Sequence, residues 1–336
     1  MSAKIKAVRI HSHGGPEVMR LEEIELPPPG PGEVRVRHTA IALNFSDINV
    51  RRGGFYQKEP LPMPIILGNE AAGVVTALGA DADNVAVGDR VGYCGVGTNF
   101  FRNTGAYAQE RNVPAARLVK LPDAISDLQG ASLLLKGLTA SSVVNRIFRP
   151  KPGDTVLIHA AASGVGLLLA QWSKHFGATV IGTVGNAEKA RVASAHGCDH
   201  TILYRGTDFV DVVKSIVPAG VNAVFDGVGK DTFIKSFDCT APFGMLVNYG
   251  NASGHVPPID INLLSFKGSL SISRPGVSHF LSDPARFRAL AGELFALVQS
   301  GVLRTTATRT YPLSDAVRAH HDAGAAYHAG PVVLLP

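Results

Sequence analysis

The stretch from residue 154 to 250 constrains this chain most, because it alternates short β-type runs with segments of helical spacing. TVLIH (155–159) is predicted as strand, GVGLLLAQWSKHFG (164–177) as a helix closed by glycine, and ATVIGTV (178–184) as strand. AEKARVASAHG (187–197) reads as helix and HTILY (200–204) as strand. DFVDVVKSIV (208–217) as helix, VNAVFDGVG (221–229) as strand and turn, DTFIKSFDCT (231–240) as helix and GMLVNYG (244–250) as strand complete the run. Strands alternating with helices of roughly 10–15 residues imply a parallel sheet covered on both faces. The expected fold class is therefore α/β, with a doubly wound parallel sheet in this part of the chain.

The flanks follow a different grammar. GEVRVRHTAIAL (32–43) alternates apolar and polar residues after the rigid connector PPPGPG (27–32), a half-buried strand signal. GNEAAGVVTALG (68–79) and VGDRVGY (87–93) read as short strands joined by glycine turns, so this region is β-rich. LQGASLLLKGLTASSVVNRIF (128–148) has helical spacing. From about 268 the tail opens on GSLSIS, an alternating strand; DPARFRALAGELFALVQSG (283–301) follows as a helix capped by Asp283 and stopped by Gly301. DAVRAHHDA is a further short helix and PVVLLP a closing strand. The 336 residues exceed one core of usual size. The expected division is a β-rich domain of residues 1–131 and 269–336, interrupted by an α/β domain of residues 132–268.

Composition narrows the function classes. Charged residues make up 18% and hydrophobic ones 46%, which fits a globular interior. The excess of positive charge, 32 − 27 = +5, is diffuse and forms no basic tract, so no nucleic-acid partner is expected. Cys94, Cys198 and Cys239 lie far apart and cannot pair completely, which points to a reducing compartment. The start MSAKIKAVRI lacks a signal-peptide core, and no run reaches the roughly 18 apolar residues of a membrane span. A soluble cytoplasmic protein is the expectation.

The first crossover of the α/β run carries HAAASGVG (159–166). A dinucleotide pyrophosphate is held by exposed backbone N–H groups and a helix N-terminus, and glycines let the backbone approach it. Gly164 and Gly166 stand at the helix start, but Ala161 and Ser163 occupy places where G-x-G-x-x-G has glycine. The degenerate match alone also fits an ordinary strand–turn–helix; its position in the first β-α-β unit favours a cofactor. An NAD site places Asp or Glu about 20 residues further on, at the end of the second strand. Here IGTVGNAEK puts Thr183 at that place, with no acid. A carboxylate would repel a 2′-phosphate, so its absence admits NADP. Lys189 can pair with that phosphate, Gly185 and Asn186 can supply neutral donors, and Tyr204 a hydroxyl.

Together these residues resemble the zinc-independent medium-chain dehydrogenases/reductases, and within them the zeta-crystallin-like quinone oxidoreductases. The motifs are NFSDINVRRG (44–53), GNEAAGVV (68–75), GDRVGY (88–93), GAYAQ (105–109), LLKGLTA (134–140), HAAASGVG (159–166), GTVGNAEKA (182–190), FDGVGKDTF (225–233), NYGNASG (248–254) and SRP (273–275), in family order over essentially the whole chain. The resemblance implies a GroES-like catalytic domain built from both chain ends, a Rossmann-like NADPH domain between, a homodimer, and reduction of quinones by NADPH. It places cofactor contacts on Asn44, Phe45, Ser46, Asp47, Thr139, Gly164, Val165, Gly185, Lys189, Tyr204, Val228, Gly250, Asn251, Ser253 and Arg274. Within GVGTNFFRNTG (95–105) the stretch is longer than the family's, and in RRGGFYQKEP either Phe55 or Tyr56 takes the aromatic position.

Zinc-dependent relatives need a soft Cys, a His and a further ligand at the active site. Asn44 stands at the cysteine position and Asn69 at the histidine of the GHE motif, leaving Glu70 alone, so no metal is expected. His320 and His321 are adjacent, diverge on a helix and read as surface residues. Asn44 and Tyr56 are the candidate donors to an anion formed on the acceptor, and Asp47 the organiser of that loop. Each also has a plain structural reading, as a loop tie, a pocket wall and a turn cap. The expected activity is quinone reduction; enone or 2-alkenal reduction and non-enzymatic NADPH binding are the alternatives.

Overall fold

A computed structural model describes residues 2–53, 61–96, 104–305, 308–324 and 330–336. It divides into two units: Met1–Leu135 with Ser278–Gln299 and Thr305–Pro336, and Lys136–Val277 with Ser300–Arg304.

In the second unit the apolar runs become a six-stranded, wholly parallel sheet. Its order is His200–Leu203, Thr179–Val184, Thr155–Ile158, Val221–Asp226, Thr240–Asn248, Ser271–Ser273. That 3-2-1-4-5-6 order reverses direction beside the first strand, as in doubly wound dinucleotide folds. Leu157, Ile181, Val224 and Leu246 on the strands are fully buried, with Phe233 and Phe237 packed into the same core. Helices Gly164–His175, Ala187–Ala195 and Phe209–Ile216 join the strands.

Two expectations need correction here. The segment 231–240 is not an α-helix; turns lead into a 3₁₀ helix, Lys235–Cys239, and Thr240 already belongs to a strand. Side chains divert its backbone carbonyls: Ser236 Oγ donates to Thr232 O, and Thr240 Oγ1 and Cys239 Sγ donate to Ser236 O. The strand at GSLSIS pairs in parallel with Met245–Val247 and belongs to this sheet, not to the tail. The unit consequently runs to Val277, beyond the expected boundary at 268. An edge strand is half exposed, so its alternating pattern reads like that of any antiparallel strand.

The first unit is β-rich. Strand Glu33–Leu43 pairs antiparallel with Glu70–Leu78, Glu110–Pro114 and the C-terminal Val332–Leu335. Arg90–Cys94 and Val119–Lys120 extend the sheet on one side and Arg309–Pro312 on the other. Ala3–Ile10 forms a separate sheet with Met19–Leu26 and Ile65–Ile66. Val34, Val36, Ile41, Val75, Val91 and Leu334 fill the core. Strand Glu33–Leu43 passes through Asn44 into helix Phe45–Arg52, which sets the position of the candidate site.

Candidate active site

Asn44 sits at a strand-to-helix corner and is 7% exposed. Its backbone N–H donates to Asp47 Oδ2 at 2.9 Å, the acidic half of a capping box. Asp47 is fully buried and also accepts from Asn69 Nδ2 at 3.3 Å and from the Tyr107 hydroxyl at 3.4 Å. Asn44 Nδ2 donates to Glu70 Oε2 at 2.9 Å, and Glu70 Oε1 accepts the Leu135 N–H at 2.7 Å. Two buried carboxylates thus fix two carboxamides in orientation. Ser46 Oγ and Asn69 Oδ1 are buried at this corner with no hydrogen-bond partner among the described residues. Phe45 points outward, 40% exposed. Tyr56, and Phe55 beside it, lie outside the described residues.

Behind Asp47 lies a cluster that sequence reading missed. Tyr107 is fully buried, and its hydroxyl is 2.9 Å from His320 Nε2. Arg51, 1% exposed, donates from Nε to His320 Nδ1 at 3.3 Å and from Nη1 to Gly14 O at 2.7 Å. His320 is therefore not a surface residue; it is 1% exposed, whereas the side chain of His321 is 77% exposed. Burial, reinforced by the Arg51 charge, holds His320 down at about 3. Burial and the neighbouring Asp47 push the Tyr107 phenol far up. The available signal was the apolar stripe of AVRAHHDAG, where Ala316 and Ala319 are buried beside His320.

In the second unit, helix Gly164–His175 begins directly after the first-strand turn. Ser163 is its N-cap, with Oγ accepting the Gly166 N–H at 3.1 Å, so the residue that breaks the fingerprint has a local task of its own. A Cβ on Gly166 would meet Ala160 O at 2.4 Å, so only glycine permits this close packing of helix on strand. The N–H groups of Gly164 and Val165 lie in the first turn, where the helix itself supplies no acceptor. Lys136 runs over the same end: a Cβ on Gly164 would lie 2.6 Å from its Cδ. A cation at the positive end of a helix dipole builds a field for an anion. Thr139, half-buried, lies one turn beyond Lys136 in helix Asp127–Ser142.

Thr183, at the fingerprint position of the acidic residue, faces inward. It is buried, and its Oγ1 bonds to His159 Nδ1 at 3.0 Å, while His159 Nε2 bonds to Ser236 Oγ at 2.9 Å. The strand ends one residue later, and Gly185 and Asn186 form the rim. Asn186 caps the next helix by accepting the Lys189 N–H at 2.8 Å. The Tyr204 hydroxyl lies 3.5 Å from where a Gly185 Cβ would stand. Lys189 is half-buried, and burial together with the charge of Arg205 lowers its ammonium. Arg205 is an exposed second cation that the sequence reading did not single out, although it directly follows Tyr204.

The remaining predicted residues shape loops after the fourth and fifth strands. Asp226 Oδ1 accepts the N–H groups of Val228 and Gly229 at 2.6 and 3.0 Å. Ser253 Oγ donates to Val228 O at 3.0 Å. Gly250 approaches Gly227 so closely that a Cβ would lie 2.6 Å from its carbonyl oxygen. Arg274 Nη1 donates to Asn248 O at 2.8 Å and, with the Asn251 amide in its satisfied orientation, Nη2 donates to Asn251 Oδ1 at 3.0 Å.

Residues 30–123 match the Alcohol dehydrogenase GroES-like domain, and residues 164–295 match the family described as Zinc-binding dehydrogenase. The chain is 43% identical to a 2-haloacrylate reductase from Burkholderia sp over 99% of both chains. It is 40% identical to a quinone oxidoreductase from Pseudomonas aeruginosa, over 98% of this chain and 99% of the relative. The crystal structure of Escherichia coli quinone oxidoreductase complexed with NADPH matches with a TM-score of 0.92 at 37% identity, over 98% of this chain and 100% of that one. This chain belongs to the zinc-independent quinone oxidoreductases of the medium-chain dehydrogenase/reductase family.

The wider family name raises zinc, and the donor set of this member does not fit it. Zinc takes thiolate, imidazole and carboxylate ligands. At the corner the positions in question are the carboxamides Asn44 and Asn69, each of which donates its N–H to a carboxylate. No group of three His, Cys, Asp or Glu able to hold a metal occurs among the described residues.

Proposed function

We propose that the protein is an NADPH-dependent quinone oxidoreductase that works without a metal. The observation that carries this reading is the rim after the second strand: Gly185, Asn186, Lys189, Tyr204 and Arg205 meet there, and no carboxylate closes the strand. Two cations beside a phenol suit a 2′-phosphate, whereas an NAD-type acidic residue would repel it. The Gly164–Gly166 helix start, with Lys136 above it, suits the pyrophosphate. Val228, Gly250, Asn251, Ser253 and Arg274 form the further cofactor contacts in this reading, as do Phe45, Ser46, Asp47 and Thr139. When bound, NADPH supplies the two electrons and the hydrogen of the reduction. The chain's own task is to position and to stabilise charge. Asn44, held rigid by Glu70, donates to the oxygen on which negative charge develops. Asp47 keeps that corner in shape and does not itself exchange protons. Tyr56 is the proposed second donor.

The test is steady-state turnover of 1,4-benzoquinone and 9,10-phenanthrenequinone with NADPH and with NADH. NADPH-preferring turnover is expected; no turnover of any acceptor despite tight NADPH binding would leave only the non-enzymatic reading. A second activity, reduction of an activated carbon–carbon double bond, draws support from the 43% identity to a 2-haloacrylate reductase, and 2-chloroacrylate and an alkenal belong in the same panel.

A cytoplasmic location is supported by the three buried cysteines, which form no disulfide among the described residues; burial pushes Cys198 and Cys239 up to about 12, so they stay thiols. A homodimer is supported by the edge strand Ser271–Ser273, with Ile272 39% exposed and the highly exposed Phe243 and Phe266 in the same unit. No helix among the described residues is long and apolar enough to cross a membrane.

A further inference from the structure

We infer that His320, on the helix Ala316–Gly324, is a positioning residue for the Asn44–Asp47 corner: its neutral imidazole, in the Nε2–H form, sets the direction of the Tyr107 hydroxyl and through it orients the Asp47 carboxylate. The inference rests on that corner being the chemical end of the proposed reaction.

The hydrogen positions follow from donor and acceptor counting. Arg51 Nε carries only a donor, so His320 Nδ1 must accept. A neutral imidazole has a single N–H, which then sits on Nε2 and points at Tyr107 Oη, 2.9 Å away. The phenol's own hydrogen is thereby left for Asp47 Oδ2, a carboxylate that only accepts. Every hydrogen runs one way, from Arg51 through His320 and Tyr107 to Asp47. A positive group stands at one end, a negative group at the other, and two neutral rings between. The opposite tautomer would set two N–H groups against each other at Arg51. It would also draw the Tyr107 hydrogen away from Asp47, removing one of that carboxylate's donors among the described residues. The corner would then lose its link through Tyr107 to the C-terminal helix.

The surroundings hold the imidazole neutral. Arg51 and Arg52 come from the site helix, Glu17 from the turn Pro16–Val18, Tyr107 from the segment before strand Glu110–Pro114, and Asp47 lies beyond Tyr107. Burial and the Arg51 charge oppose a second proton on the ring. The sharing of one carboxylate by Asn44 N, Asn69 Nδ2 and Tyr107 Oη means that a turn of the phenol is felt at Asn44.

The test begins on the wild-type protein with histidine-selective ¹⁵N labelling. Side-chain NMR is expected to show His320 as the Nε2–H tautomer, unchanged between about pH 5 and 8. An Nδ1–H tautomer, or titration near the ordinary histidine value, overturns the inference whether or not the protein turns over quinones. Turnover then measures the consequence. His320→Leu and Tyr107→Phe are each expected to lower kcat by about tenfold or more, because displacement of a catalytic group by a fraction of an ångström is costly. The double variant should be little worse than either single one, since both cut one relay. His320→Gln keeps one donor and one acceptor and is expected to recover kcat to within about threefold of wild type. Wild-type kcat in His320→Leu, or losses that multiply in the double variant, would refute the role. Absence of turnover in the wild type refutes the proposed function instead, and the NMR result still decides the relay.

Discussion

At the Asn44 corner, Asp47 and Glu70 are fully buried and each meets donors from more than one element, whereas at the Lys189 rim Tyr204 is 48% exposed and Arg205 lies in solvent. The corner holds shape: a carboxylate withdrawn from water is tolerable only when its acceptors are filled, so its neighbours are locked with it. The rim holds charge: its cations stay near water, where salt screens them and where a mobile phosphate can reach them. Damage to the corner should therefore cost folding as well as rate. Damage to the rim should cost affinity alone.

Acid should affect the core of the first unit most. His320 is held at about 3 and His38 at about 4, the latter by burial, against 6.5 when exposed. Between those values the unfolded chain binds more protons than the folded one, so the stabilising effect is complete above pH 6.5 and is lost as pH falls towards 4 and 3. Between pH 7.5 and 4.5 the two histidines together make this a loss on the order of 5 kcal/mol. Urea unfolding at pH 7.5 and 4.5 should show the midpoint falling steeply, and a flat profile would mean that neither imidazole is held neutral by burial.

Asp47→Ala tests the corner directly. It strands the Asn44 N–H, the Asn69 amide and the Tyr107 hydroxyl in a buried site. A loss of about 3 kcal/mol in urea unfolding is expected, together with a fall in kcat. Lys189→Ala tests the rim. It should raise the KM for NADPH by about tenfold, less at high salt, and leave that for NADH within about twofold, with the unfolding midpoint unmoved. Equal effects on both nucleotides would remove Lys189 from the 2′-phosphate.

The parallel sheet was legible because short, largely apolar runs such as TVLI and VNAVFD, alternating with helical segments, announce buried parallel strands. The corner was legible only as motif: Asn44, Asp47, Asn69 and Glu70 stand out by type, but their pairing depends on strands that meet through the fold. His320 was illegible as a site residue. Its partners Tyr107 and Arg51 lie 213 and 269 residues away, and of two adjacent histidines, periodicity says that they diverge but not which one faces inward. That Thr183 bonds to His159 inside the sheet was likewise not legible, because the pairing spans 24 residues and depends on the strand register.

Smaller effects extend the contrast to the turn before helix Gly164–His175. Ser163→Ala removes the side-chain acceptor for the Gly166 N–H and should cost about 1 kcal/mol of stability. Ser163→Gly should cost only a few tenths, because glycine exposes the N–H to water.

Ala160 offers the finest test. It lies at φ 52°, in the left-handed region, at the point where the first strand turns towards the helix. A Cβ there crowds the following carbonyl and costs about 1 kcal/mol relative to glycine. Its own carbonyl is held against the Gly166 position, so the turn cannot relax by rotating away. Ala160→Gly removes that crowding but gives the unfolded chain more freedom, which offsets part of the gain. The expected net result is stabilisation by roughly 0.5 kcal/mol, with the KM for NADPH unchanged, because the backbone path that faces the phosphates stays the same. A destabilised variant would mean that Ala160 does not adopt the left-handed turn, and a changed KM would mean that the turn owes its nucleotide-binding shape to the alanine methyl rather than to the helix start.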